Sequence, residues 1–278
     1  MADDKLVPGT QLLKPEYAGT AIDPTSQFVP KSLVEVAGID WLTFTSANLM
    51  MFLGVLATLV IVTTGLGRSA GRVPTRMQVV AEGAYGFVKT TLLSATGEAG
   101  KPYLRLMLTL FFFIAMGNFL GMVTLSLPGV GNPFFTYTSH FAITASLGFG
   151  LMIFVTSLGF YKHGLKFLTL FVPHGVPLPL LLILVPIEVI SYLTRPITLA
   201  VRLFANMVAG HALLKTLASF PYFVASSTGA LALGLVTTFA IQLILVPLTG
   251  LEFVIAFLQA YVFVMLGSMY FKDAIHLH

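Results

Sequence analysis

Five charged side chains interrupt the long apolar stretch between residues 179 and 271: Glu188, Arg195, Arg202, Lys215 and Glu252. If that stretch crosses a bilayer, each costs at least about 2.5–3.5 kcal/mol to insert, and groups kept there mark ion pathways or paired sites. Their spacing sorts them. Glu188, Arg195 and Arg202 stand seven apart, so on a helix they drift only about 20° per step. Thr198, Arg202 and Asn206 are four apart and share that stripe. In the following segment Glu252 and Gln259 are again seven apart and lie on one face. His211, nine residues beyond Arg202, points to the opposite side of its helix. Histidine and a glutamate in an apolar setting both exchange protons near neutral pH, so His211 and Glu252 on adjacent helices form a candidate relay. A hydrogen-bonded core histidine is the plainer alternative. Asn118, further upstream, is either a helix–helix tie or a dipole on a channel wall.

Arg202 is the hardest of these to explain blandly. An arginine keeps its proton inside a protein, so it is a fixed positive charge. A local ion pair would need a carboxylate three or four residues away, and positions 198, 199, 205 and 206 are Thr, Leu, Ala and Asn. Its counter-charge must come from another helix or another chain. Arg195 can snorkel towards a headgroup or pair with Glu188. Lys215 falls near the outer end of its segment and reads as interfacial.

The elements that carry these residues follow from composition. Of 278 residues, 56% are hydrophobic and 9% charged, where a soluble domain carries roughly 25% charged. The expected fold is an all-α polytopic membrane protein. Long continuous apolar runs, rather than alternation at every second residue, exclude a transmembrane barrel. With no cysteine there is no disulfide, thiolate metal site or cysteine nucleophile. The net charge of +4 is spread thinly with no basic run, so nucleic acid is not an expected partner. No cofactor or metal is expected, and neither His-Glu-x-x-His nor Gly-x-Ser-x-Gly occurs, so no enzyme chemistry is read here.

Residues 1–46 read as a polar, acidic tail without the basic start and apolar core of a secretory signal. Residues 47–278 read as one membrane domain. Spans are expected at about 47–66, 103–126 and 137–160. Between the first two, Met77, Val80, Ala81, Ala84, Phe87, Val88 and Leu92 recur near helical spacing and predict an amphipathic surface helix. Arg68, Arg72 and Arg76 in that loop, and Lys162 and Lys166 after the third span, place both loops on the cytoplasmic side. The uncharged turn at 127–136 and the acidic tail then lie outside, and five crossings bring Lys272 back inside.

The last two segments, about 179–219 and 228–271, are too long for ordinary spans. As single helices they measure about 60 and 66 Å against a hydrocarbon layer of about 30 Å. No polar turn divides either one. They are expected as two long, steeply tilted helices packed as a hairpin around a turn at 220–227, inclined about 60° and beyond the usual 0–40° range.

The run from Pro186-Ile187-Glu188 through Arg195-Pro196-Ile197-Thr198 to Arg202-Leu203-Phe204-Ala205-Asn206-Met207 and Gly210-His211 resembles subunit a of F-type ATP synthases. So do Glu252 through Gln259-Ala260-Tyr261, Gly159-Phe160-Tyr161-Lys162-His163-Gly164, and Gly117-Asn118-Phe119-Leu120-Gly121. The resemblance covers about residues 70–275. It implies an ion-translocating, non-catalytic stator subunit in a bacterial inner membrane, with protons the expected ion and a mitochondrial setting the lesser reading. Implied partners are the c-ring, whose subunits each carry one mid-membrane carboxylate, and the peripheral-stalk b subunits.

Within that resemblance Arg202 matches the essential arginine, and a passing c-ring carboxylate supplies its missing counter-charge. Asn206 and Gln259 match positions beside the arginine. His211 and Glu252 match positions on the inlet half-channel, and Glu188 is a candidate outlet or supporting residue. Some bacterial members carry Glu at the position of His211 and His at that of Glu252. This chain has the exchanged pair, as mitochondrial members do. Some also have Asp where Gly121 stands. The rival function is a secondary ion antiporter, but such folds are built from inverted repeats with broken helices, and no internal repeat is seen here. A purely structural membrane anchor is the third reading, and it would tolerate replacement of Arg202.

Overall fold

The structure, a computed structural model, describes residues 32–34, 44–66, 75–122, 136–172, 177–228 and 231–276. The expected turn at 127–136, apart from its last residue, and most of the 1–46 tail lie outside them. From the tail, a short antiparallel ladder pairs β1 (Ser32–Val34) with β2 (Phe44–Thr45). Everything else is helical: α1 (Ser46–Leu66), α2 (Arg76–Thr96), α3 (Leu104–Met122), α4 (Phe141–His163), α5 (Leu178–Thr228) and α6 (Leu231–Ile275), with 3-10 turns before α3, before α4 and after α4. Among the described residues, five stretches are long and apolar enough to cross a membrane.

The described residues divide into two compact units, one of residues from 32 to 210 with those from 250 to 276, the other of residues from 211 to 249. The first unit holds the core. Phe111, Phe112 and Ile114 of α3, Leu151 and Val155 of α4, Leu199 and Leu203 of α5, and Phe263 and Phe271 of α6 are all buried together. The second unit contains the C-terminal part of α5 and the N-terminal part of α6, including His211 and Lys215, both half-buried.

Local sequence explains the helix ends. Thr75 caps α2 by accepting a hydrogen bond from the Gln78 backbone N–H at 3.4 Å. Gly97 and Gly164 end α2 and α4 at φ of 63° and 58°, a left-handed geometry that glycine tolerates without strain. On α2, Ala81, Val88 and Leu92 are fully buried, as their spacing predicts. Val80, assigned to the same face from spacing, is instead 60% exposed. The buried face is narrower than the run of apolar residues, and in a lipid setting an outward valine carries no hydration cost.

α5 runs on through residues 220–228, so the expected turn there is helical and α6 begins only at Leu231. Pro186, Pro196 and Pro247 leave the helices uninterrupted, as membrane-spanning helices tolerate proline better than soluble ones. The apolar lengths are 43 residues in α5 and 44 in α6, about 65 Å each at 1.5 Å per residue. Burying such a length in about 30 Å of hydrocarbon demands a steep incline. Within the first unit the two helices run antiparallel: Arg195 meets Asp273, and Gly210 meets Glu252.

Hydrophobic force does not hold helices together in lipid, so close backbone approach has to. Two contacts show how. Tyr137, fully buried before α4, lies in a slot between Gly54 of α1 and Gly117 of α3, and its hydroxyl donates to the Phe113 carbonyl at 2.5 Å. Gly148 of α4 faces the Pro196 carbonyl of α5 so closely that a Cβ there would sit 2.8 Å from that oxygen. Gly148→Val should therefore push α4 off α5 and destabilise the fold by about 1–3 kcal/mol. Gly150→Val, where the Cβ meets open space, is the control. The thermal midpoint in detergent checks this: it should fall for the first variant only, and equal midpoints would refute the contact.

Candidate functional site

The seven-residue stripe of α5 splits in two. Arg202 and Asn206 are exposed, whereas Arg195 is turned into the protein. Arg195 Nη1 donates to Asp273 Oδ2 of α6 at 2.7 Å, and its Nη2 lies 3.9 Å from Glu188 Oε1. The guanidinium sits over two aromatic rings, Tyr192 at 5.4 Å and Tyr270 at 5.5 Å. The Tyr192 hydroxyl is in turn 2.7 Å from Thr156 Oγ1 of α4. One cationic group thus ties α5 to α6, by an ion pair and by its attraction to ring faces, and Tyr192 extends the tie to α4. Thr198 spends its hydroxyl on its own helix, donating to the Arg195 carbonyl at 2.9 Å.

Sequence reasoning offered Glu188 as the partner of Arg195. The structure keeps Glu188 nearby but makes Asp273 the close partner. Tyr192, Tyr270 and Asp273 were all missed. The available signal was an acidic residue at the inner end of α6, opposite a helix that carries an otherwise unneutralised arginine.

Arg202 is different. Lys101–Glu98, Arg195–Glu188 and Arg195–Asp273 form ion pairs, and Arg202 belongs to none of them. Leu199, Leu203 and Met207 bury the other side of this part of α5 in the first unit. The charge therefore projects from the helix face that the chain's own packing leaves uncovered.

The buried face of α6 collects Glu252, Ala256, Gln259, Ala260 and Phe263. Glu252 lies against the bare backbone of Gly210, where an added Cβ would come within 2.9 Å of its Oε1. Residue 210 must be small for the carboxyl to sit there. His211 follows Gly210 along α5 and is half-buried in the second unit.

Asn118 resolves towards the tie. Its side-chain N–H donates to the Ala256 carbonyl at 3.1 Å, and its Oδ1 accepts from Thr138 Oγ1 at 2.6 Å. It is fully buried and joins α3, the turn before α4, and α6 one helical turn beyond Glu252. Beside it, Thr136, Thr138 and Ser139 are buried as well, and burial pushes the His140 imidazole below its ordinary pKa.

The family model described as ATP synthase A chain matches residues 48–272. A protein named ATP synthase subunit a from Sinorhizobium fredii is 46% identical over 258 residues, 91% of this chain and 97% of that protein. Its counterpart in Rhodospirillum rubrum is 43% identical over 92% of this chain and 99% of its own length. That of Granulibacter bethesdensis is 40% identical over 94% and 99%.

Asn118 and Asn206 make opposite predictions. Asn118→Ala strands a buried hydroxyl and loosens α6, an expected loss of about 1–3 kcal/mol. Asn206→Ala removes an exposed side chain and should leave stability within about 0.5 kcal/mol. Thermal unfolding in detergent reads both, and equal midpoints would mean that Asn118 is not a tie.

Proposed function

The chain belongs to the ATP synthase A chain family, and from that membership we propose that Arg202 is the fixed counter-charge for a mobile carboxylate on a c-ring turning against α5 and α6. The subunit is the proton-channel stator of an F-type ATP synthase. It is non-catalytic and spans a bacterial inner membrane several times. That family leaves no room for a secondary antiporter.

The observation that carries the proposal is the exposure of Arg202 outside every ion pair among the described residues. A permanent charge facing lipid would be costly, so its face must meet a partner of opposite sign. A carboxylate that can take up and release a proton is such a partner. Deprotonated, it is attracted to Arg202. Protonated, it is neutral and can move into the apolar layer. The arginine never loses its own proton, so it cannot relay one, and its field discourages a proton from passing directly between the two sides. Hydration at an exposed position keeps the attraction modest, so the ring is not trapped.

Glu252 on the buried face of α6, with His211 on α5, serves the inlet half-channel in this reading, and Asn206 and Gln259 orient the groups near Arg202. Gly210 supports the assignment by giving the Glu252 carboxyl room. Glu188 stands beside Arg195 as an outlet or supporting residue. Asn118 acts on the route by holding α6 through Ala256. The peripheral-stalk b subunits hold the stator still against the ring.

Arg202→Ala should abolish proton-driven ATP synthesis in membrane vesicles while the assembled complex still hydrolyses ATP. Coupled synthesis retained by that variant would sink the proposal. The inlet assignment has its own test: His211→Glu combined with Glu252→His should restore more proton-driven synthesis than either change alone. A double variant no better than the singles would count against one shared route.

A further inference from the structure

We infer that Asp273 masks Arg195, so that the c-ring carboxylate meets one arginine on α5 rather than two. The inference rests on the reading of Arg202 as counter-charge and adds a specificity-determining residue to it. Arg195 and Arg202 are about 10.5 Å apart along the helix, seven residues at 1.5 Å. On an upright helix that distance would be depth, and a carboxylate carried round a ring at one level would pass only one of them. The apolar length of α5 forbids the upright pose. At an incline of about 60°, the same step changes depth by only about 5 Å and shifts sideways by about 9 Å. A second free arginine so placed would lie near the carboxylate's path and compete with the first.

The chain neutralises it. Asp273 takes the close, directional contact at 2.7 Å, and both side chains of that pair are about three-quarters buried, at 24% and 26% exposure. Tyr192 and Tyr270 cover the guanidinium faces. Glu188 cannot do the same alone: it is 3.9 Å away and 38% exposed, a separation and setting in which an ion pair is weak. Among the described residues Arg202 makes no such ion pair and sits over no ring face. Two arginines of the same stripe are thereby given opposite states, one neutralised and one available.

This differs from a merely structural clamp in what a second substitution does. Asp273→Asn releases the Arg195 charge and should lower ATP-driven proton pumping by the whole complex in inverted vesicles about tenfold, equivalent to about 1.4 kcal/mol on the barrier. Adding Arg195→Gln removes the competing charge and should restore pumping to within about twofold of the parent, although the clamp is gone. If the pair were only a clamp, or if Asp273 itself carried the proton, the double variant would stay as low as the single one. That result overturns the inference, as does full pumping by Asp273→Asn.

Should Asp273→Asn fail to assemble, the exchanged pair Arg195→Glu with Asp273→Arg keeps the contact and takes the arginine off α5. It should pump near the parent rate, and its failure to pump in an assembled complex also overturns the inference. Arg202→Ala measured alongside separates the two levels. Pumping that survives it overturns the counter-charge reading and this inference together. Pumping lost there but intact in Asp273→Asn overturns this inference alone.

Discussion

A fixed positive charge in an apolar setting must have an answering negative charge, and the organisation of α5 and α6 follows from how that demand is met twice. Arg195 is answered from within the chain, by Asp273 across the helix pair and by the ring faces of Tyr192 and Tyr270. Arg202, seven residues along, is left open on the uncovered face. Water would blur the difference, since exposed charges interact weakly there. In hydrocarbon it separates a structural joint from a working surface.

The packing is arranged to leave that surface open. α3, α4 and the inner turn of α6 gather on one side of α5, drawn close by glycine at 148 and by small residues along α6. Polar ties appear where apolar packing has no power to orient a helix. Asn118 is the clearest: one of its hydrogen bonds holds α6 at the Ala256 carbonyl, on the face where Glu252 and Gln259 are also buried, and the other ties it to Thr138 before α4. Gly210 completes the arrangement by omission. The carboxyl of Glu252 occupies what would otherwise be side-chain space.

Much of this could be read from the residues in order. The solvent class followed from the scarcity of charge, and the two long helices from apolar runs with no polar break. Arg202 stood out because positions three and four away offered no carboxylate. What could not be read was three-dimensional pairing. A symmetrical hairpin about residues 229–230 would set Arg195 beside Val264, and only the actual crossing brings Asp273 to it. The end of α5 was placed too early because Pro221 and the serines after it look like a turn, whereas the helix absorbs them. Val80 was put inside because spacing cannot tell a helix face turned to protein from one turned to lipid. The partner of Asn118 depended on a backbone carbonyl, which sequence never advertises.

The length of α5 and α6 bears finally on how the subunit comes into being. An ordinary span can be released into the bilayer singly and wait there, upright, for its neighbours. A helix with more than 40 apolar residues cannot stand upright without driving hydrocarbon side chains into water at one or both ends. Its incline has to be held by what packs along its flanks. The pose of such a helix is thus inseparable from its contacts, as for elements whose stability cannot be separated from association. Insertion and packing of such a helix are therefore one problem rather than two.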